Sequence, residues 1–303
     1  MAHVPVLLNE VLEILNPQPN EKFIDGTLGE GGHAVTILKR IGPKGKLLAI
    51  DWDERIISSF KLQARRFKNV VLVNDSFANL VAILKENKFG KADGLLLDLG
   101  FSSWHLEKSG RGFSFIRNEP LIMLYHAELS ETGTRNYSEK VTAAEVVNSF
   151  REEELKNIIR TYGEERYAGK IARQITRERK IKSIITTYDL VEVIKKAVPK
   201  NYEHGRIHPA TRTFLALRIF VNEELENLKK VLSDLPEILK IGGRVVIISF
   251  NSSEDRIVKQ AFQEKQKSGL LRIITKKPIR PSLEEIFQNP RSRSAKLRAA
   301  IIN

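Results

Sequence analysis

Asp25-Gly26-Thr27-Leu28-Gly29-Glu30-Gly31-Gly32-His33 is the stretch that decides the fold. It follows Lys22–Asp25, expected as a short strand, and precedes Ala34–Ile41, expected as a helix that Gly42-Pro43 stops. Glycines at such a joint let backbone approach a ligand closely and take positive φ. In doubly wound sheets this loop lies at the carboxyl end of the first strand, where ligands bind. Lys46–Asp51 reads as a second buried strand, and its final residue, Asp51, stands 18 residues past His33. An acid there accepts hydrogen bonds from both ribose hydroxyls of an adenosine.

The alternation continues. Asp53–Phe67 is expected as a helix, Val70–Asn74 as a strand, Phe77–Asn87 as a helix and Asp93–Leu99 as a fourth strand. Near-continuous apolar strands alternating with helices indicate a parallel sheet covered on both faces. Upstream, Val4–Leu15 has helical spacing. From Glu107 to about Arg206 the pattern turns helical and highly charged, with helices expected at Thr142–Asn148, Arg151–Tyr162, Glu165–Arg179 and Thr187–Ala197. Thr211–Leu239 reads as a long helix or helix pair, Arg244–Phe250 as a fifth strand, Glu254–Lys267 as a helix and Leu271–Thr275 as a further strand. The tail Lys276–Asn303 reads as basic and proline-punctuated. The expected organisation is an α/β domain from residues 1–106 and 207–303, interrupted by a helical insertion at 107–206.

A chain of 303 residues exceeds the usual size of one hydrophobic core, consistent with two parts. Its net charge of +13 points to a polyanionic partner such as nucleic acid. The competing explanation is a lysine-rich but merely solvated surface. There is no cysteine, which excludes disulfides, thiolate zinc sites and cysteine nucleophiles. The histidines show no metal-ligand spacing, so no metal site is expected. No apolar run is long enough to span a bilayer, and Met1-Ala2-His3-Val4-Pro5 lacks the basic leader of a secretion signal, so the cytoplasm is the expected location. Oligomeric state is left open between monomer and homodimer.

The glycine pattern is Gly26-x-x-Gly29-x-Gly31 rather than the G-x-G-x-x-G of dinucleotide folds. Asp25 would repel a pyrophosphate but accepts readily from the ammonium of a methionine moiety. Together with Asp51 and the strand-end Asp98, the loop points to S-adenosylmethionine, with a dinucleotide fold as the alternative.

Longer strings carry a family resemblance. They include His3-Val4-Pro5-Val6-Leu7-Leu8, the glycine loop itself, Asp98-Leu99-Gly100-Phe101-Ser102-Ser103 and Arg111-Gly112-Phe113-Ser114-Phe115. Tyr162-Gly163-Glu164-Glu165-Arg166, His208-Pro209-Ala210-Thr211-Arg212-Thr213-Phe214, Leu217–Leu225 and Asn289–Arg298 extend it to the far end of the chain. The chain resembles the bacterial small-subunit ribosomal RNA cytosine-N4 methyltransferases, the RsmH or MraW family. The resemblance implies a class I, Rossmann-like S-adenosylmethionine-dependent methyltransferase fold with a helical insertion, and N4-methylcytidine in the decoding region of 16S rRNA as product. It implies cofactor contacts at Gly31, Gly32, His33, Asp51, Phe77 and Asp98, beside the Asp25 already read from the loop. Phe77 reads equally as an adenine neighbour or a core aromatic. His105 stands where the family has a contacting glutamine. Two segments depart from the family pattern: Leu121-Ile122-Met123-Leu124-Tyr125-His126, which lacks two acids and an arginine, and Phe250–Arg256, where Asn251 replaces a histidine. Both are expected to border the target base.

Methyl transfer to a cytosine amine needs in-line alignment and an acceptor for the amine proton. Asp98 is the candidate for positioning the cofactor and, secondarily, for activating the amine. Ser102, Ser103 and Asn251 are candidates for holding the base, with plain turn chemistry as the alternative for each. The base must be presented unstacked. Arg111 in the insertion and Arg291, Arg293, Lys296 and Arg298 in the tail are candidates for RNA phosphate contact, within the small ribosomal subunit. Two other functions compete: a methyltransferase of altered nucleic-acid target, and a catalytically silent ribosome-assembly factor that keeps the fold.

Overall fold

The computed structural model describes residues 5–100, 103–125, 128–129, 135–136 and 141–303. The chain divides into two compact units, Met1–Gly100 with Leu225–Asn303, and Phe101–Glu224.

The first unit is built on a seven-stranded sheet: β1 (Lys22–Asp25), β2 (Lys46–Asp51), β3 (Val70–Asn74), β4 (Ala92–Asp98), β5 (Leu239–Ser249), β6 (Leu271–Ile273) and β7 (Lys296–Ile302). The strand order is β3-β2-β1-β4-β5-β7-β6. The first five strands are parallel neighbours, and β7 enters antiparallel to both β5 and β6. The order reverses beside β1, the switch point at which open α/β sheets bind ligands. Leu47–Ile50 of β2 and Leu95–Leu97 of β4 are buried consecutively, as strands covered on both faces must be.

The helices, in chain order, are α1 (Leu8–Leu15), α2 (Gly32–Ile41), α3 (Glu54–Gln63), α4 (Leu80–Glu86), α5 (Ser103–Glu107), α6 (Ala143–Ser149), α7 (Glu152–Gly163), α8 (Ala168–Glu178), α9 (Thr187–Ala197), α10 (Thr211–Val221), α11 (Glu224–Ser233), α12 (Leu235–Ile238), α13 (Ser252–Lys267) and α14 (Leu283–Gln288). One face of the sheet packs on α1, α2 and α3 through Leu12, Ile37 and Phe60. The other packs on α4, α11 and α13 through Ile83, Leu228 and Phe262.

The second unit is helical around a core that includes Val147, Leu155, Ile171, Ile194 and Leu217. Its helices start on polar caps. Thr142 accepts from Glu145 N and Thr186 from Asp189 N, and both make reciprocal capping boxes. The unit runs to Glu224, beyond the residue 206 expected from sequence, because α10 buries Phe214, Leu217 and Val221 in the helical core. Of the long helix or helix pair expected across Thr211–Leu239, the structure forms separate helices: α10 ends at Val221, and Glu223 takes a left-handed φ of 52° before α11.

Within the tail read as basic and proline-punctuated, Lys296–Ile302 forms a strand not expected from sequence, the largely buried β7. Among the described residues no helix is long and apolar enough to cross a membrane.

Candidate functional site

Three carboxylates gather at the carboxyl ends of neighbouring parallel strands: Asp25 on β1, Asp51 on β2 and Asp98 on β4. Backbone amides of the adjoining loops hold each one. Asp25 Oδ1 accepts from Thr27 N at 3.2 Å. Asp51 accepts from Gly29 N and Asp53 N, both at 3.0 Å, one on each oxygen. Asp98 Oδ1 accepts from Gly100 N at 3.0 Å. The Asp98 backbone N–H donates to Thr27 Oγ1 at 2.6 Å, which ties the glycine loop to β4. Sequence reasoning passed over Thr27; its signal was a hydroxyl placed two residues after a strand-end acid.

His33, in the first turn of α2, faces these acids. It is 7% exposed, and its Nε2 lies 3.6 Å from Asp98 Oδ2. Among the described residues neither ring nitrogen has a hydrogen-bond partner. Asp25 is almost fully buried, and its carboxyl is pushed up to about 6. Burial is the largest cause; His33 and the Thr27 amide work against it, and the Asp98 and Asp51 carboxylates add to it. Three acids around one imidazole leave a site that favours an added positive charge.

The glycine loop is shaped for close approach. Gly31 has φ +79°, and a Cβ there would sit 2.2 Å from the Phe60 ring. A Cβ on Gly32 would sit 2.2 Å from Pro5. Gly31 also starts α2 without a side-chain cap, so first-turn amides are left for a ligand, at the positive end of the helix dipole. An anion at that helix end, a cation among the carboxylates and a diol at Asp51 together match an amino-acid-bearing sulfonium nucleoside such as S-adenosylmethionine. They do not match a pyrophosphate. Phe77 follows β3 and is 8% exposed, with its ring 6.1 Å from that of Trp52. It packs in the sheet core while lying against Gly26.

The other candidates lie elsewhere or have other partners. Asn251 caps α13: its Oδ1 accepts from Glu254 N at 2.9 Å, and its Nδ2 donates to Glu254 Oε1. Both ends of the amide serve the turn, so the structure favours turn chemistry there over base recognition. Arg298 is corrected from a phosphate contact to an internal ion pair. It is 7% exposed and grips Asp255 of α13, Nε to Oδ1 at 2.6 Å, while Lys296 reaches the same carboxylate at 3.4 Å. Burial alone would raise Asp255, but Arg298 and Lys296 hold it below the ordinary carboxylate range. Arg111 is likewise buried. Its guanidinium donates to the Leu124 and Tyr125 carbonyls and faces the Trp104 ring, so it is a strut of the helical unit. Arg291 and Arg293 are exposed on a short 3-10 turn.

His105 is buried in an aromatic cluster with Trp104, Phe113 and Tyr125 in the helical unit. In the altered segment, Leu121, Ile122, Met123 and Leu124 are all buried in that unit's core, and this accounts physically for apolar residues where the family pattern has charges. Ser102 and His126 lie outside the described residues, as does the Ser103 side chain. Among the described residues no cluster of three His, Asp or Glu side chains is arranged to hold a metal ion.

The sequence profile of the MraW methylase family matches residues 1–302. A protein of Kosmotoga olearia named ribosomal RNA small subunit methyltransferase H is 47% identical, over 99% of this chain and 97% of its own length. Proteins of the same name from Clostridium botulinum (strain Kyoto / Type A2) and Thermotoga neapolitana are 43% and 45% identical over 98% of this chain, covering 97% and 95% of their own lengths.

Proposed function

The chain belongs to the MraW methylase family, and from that membership we propose that it uses S-adenosylmethionine to methylate the N4 amine of a cytidine in the decoding region of small-subunit ribosomal RNA. The observation that carries the donor half is the ring of Asp25, Asp51 and Asp98 at the strand ends around one glycine loop. The acceptor half is supported by end-to-end likeness to proteins named for the small ribosomal subunit.

When bound, the donor supplies an electrophilic methyl group. The chain's own residues then have distinct tasks. Asp51 holds a ribose diol through the lone pairs left by the Gly29 and Asp53 amides. Asp25, which is buried, and Asp98, which is partly buried, offset positive charge. The α2 amides receive a carboxylate. Asp98 Oδ2 is the acceptor for the proton the amine must lose, and His33 Nε2 at 3.6 Å is placed to take it onward. Ser102 and Ser103, in the chain directly after β4, are proposed to hold the cytosine edge.

The test is purified protein with labelled donor and isolated small subunits, read by nucleotide-level mapping. One labelled cytidine in the decoding region, modified at N4, is the expected result. Label on another nucleotide would mean an altered target. Absence of donor binding by calorimetry would overturn the enzymatic reading in favour of an assembly factor.

A further inference from the structure

Residues 31–50 and 55–74 contain nine lysines and arginines and no aspartate or glutamate. That is an unusual run of one sign in a chain whose cations are elsewhere often paired, as in Arg151 with Glu154, Lys195 with Glu192 and Lys240 with Asp93. The fold brings the two stretches together. Lys39 ends α2, Lys44 and Lys46 lead into β2, and Arg65, Arg66 and Lys68 lie between α3 and β3. All six side chains are exposed, and among the described residues none has an acidic partner.

Three of them, Lys39, Arg66 and Lys68, line a preformed hollow of about 390 Å³ together with Pro43, Phe67 and Asn69 among others. Asn69 fixes its shape. Its Nδ2 donates to the carbonyls of Gly42 at 2.9 Å and Gly45 at 2.8 Å, stapling the α2–β2 turn to the start of β3. Phe67 is half-buried in the wall, with the Arg66 guanidinium 5.1 Å from its ring centre. The hollow lies at the amino-terminal end of β2. Asp51 lies at the carboxyl end, five residues on, or roughly 17 Å at strand spacing. It is therefore separate from the donor site.

We propose that this face is a second RNA-docking surface that grips the phosphodiester backbone at a distance from the methylated nucleotide. The inference rests on the ribosomal reading above and deepens it. Unpaired, closely spaced cations on a rigid hollow neutralise successive phosphates and release counterions, which favours binding without reading sequence. An enzyme that must find one base in a large folded RNA gains orientation from such a remote hold. A free mononucleotide offers too few charges to engage six cations, so a polymeric backbone is the better match.

The experiment compares wild type with Lys39→Ala/Arg66→Ala/Lys68→Ala, and with a charge-keeping variant, Lys39→Arg/Arg66→Lys/Lys68→Arg. The readouts are binding to isolated small subunits across salt concentrations, binding to anionic phospholipid vesicles, KM and kcat for subunit methylation, donor affinity and thermal midpoint. The expected result for the alanine variant is about tenfold weaker subunit binding, with the slope of log affinity on log salt reduced by about 2 to 3. Donor affinity, kcat and thermal midpoint should match wild type, and the charge-keeping variant should bind as wild type does. An unchanged salt slope in the alanine variant overturns the proposal. So does equal weakening in both variants, which would mean that shape rather than charge was lost. Loss of binding to vesicles of anionic phospholipid, with subunit binding intact, would overturn it in favour of a membrane surface. If wild type binds subunits but methylates nothing, the enzymatic reading falls while the binding comparison still decides this one.

Discussion

At the scale of single residues, Asp25 is the most informative group. Its carboxyl stands at about 6 in the fold against an ordinary value of 3.8. A proton on Asp25 removes charge that a cationic donor needs, so donor affinity is expected to fall about tenfold per pH unit below about 6. Calorimetry between pH 5 and 8 checks this, and Asp25→Asn should flatten the profile while weakening binding at pH 8. Stability has the opposite sign. A raised acid pKa stabilises the fold below about 3.8, and that contribution is lost as pH rises through about 6. At pH 7.5 the ligand-free Asp25→Asn protein should therefore melt higher than wild type, by up to about 3 kcal/mol of stability. Asp51→Ala, which removes two charge-assisted hydrogen bonds to a ribose, should raise the donor dissociation constant about 100-fold. Unchanged binding would remove Asp51 from the site.

Among the elements, β7 and the start of α13 separate reading from structure. The sequence marked β1 to β5 well because their apolar runs are flanked by Gly, Asp or Asn, and because burial on both faces demands such runs. It did not mark Lys296–Ile302. That strand holds two alanines and two cations among its seven residues, which weakens its β signal, and it pairs with β5 and β6 on either side. The basic residues of β7 therefore looked like an RNA-binding tail, whereas Arg298 packs against Asp255. Arg298→Ala should cost about 3 kcal/mol in chemical unfolding, by stranding a largely buried carboxylate, and leave the salt dependence of RNA binding alone. Asn251 was ambiguous for a related reason, since the same amide suits a helix cap or a base edge. Asn251→Ala should cost about 1 kcal/mol of stability through the lost capping box. A large fall in kcat at unchanged stability would instead restore it to the base site.

For the whole molecule, the glycine loop and strand-end acids were legible because they are local: residues 25–33 and Asp51 carry their geometry in a few adjacent positions. The extent of the helical unit was less so, because the assignment of α10 depends on which core takes Phe214 and Leu217, a matter of packing across distant segments. RNA contact depends on exposure, which composition does not reveal. Arg291 and Arg293 remain on the surface, and replacing both with alanine should lower the salt slope of RNA binding by about 2. The discontinuous first unit also has a consequence for synthesis. β4 ends at Asp98 and its neighbour β5 begins at Leu239, with the helical unit made between them. At about 5–20 residues per second, the nascent sheet keeps the β4 edge unpaired for on the order of ten seconds. An open, apolar edge of that kind invites pairing with other chains. The newly made protein thus passes through an interval in which its β4 edge is most open to pairing with other chains.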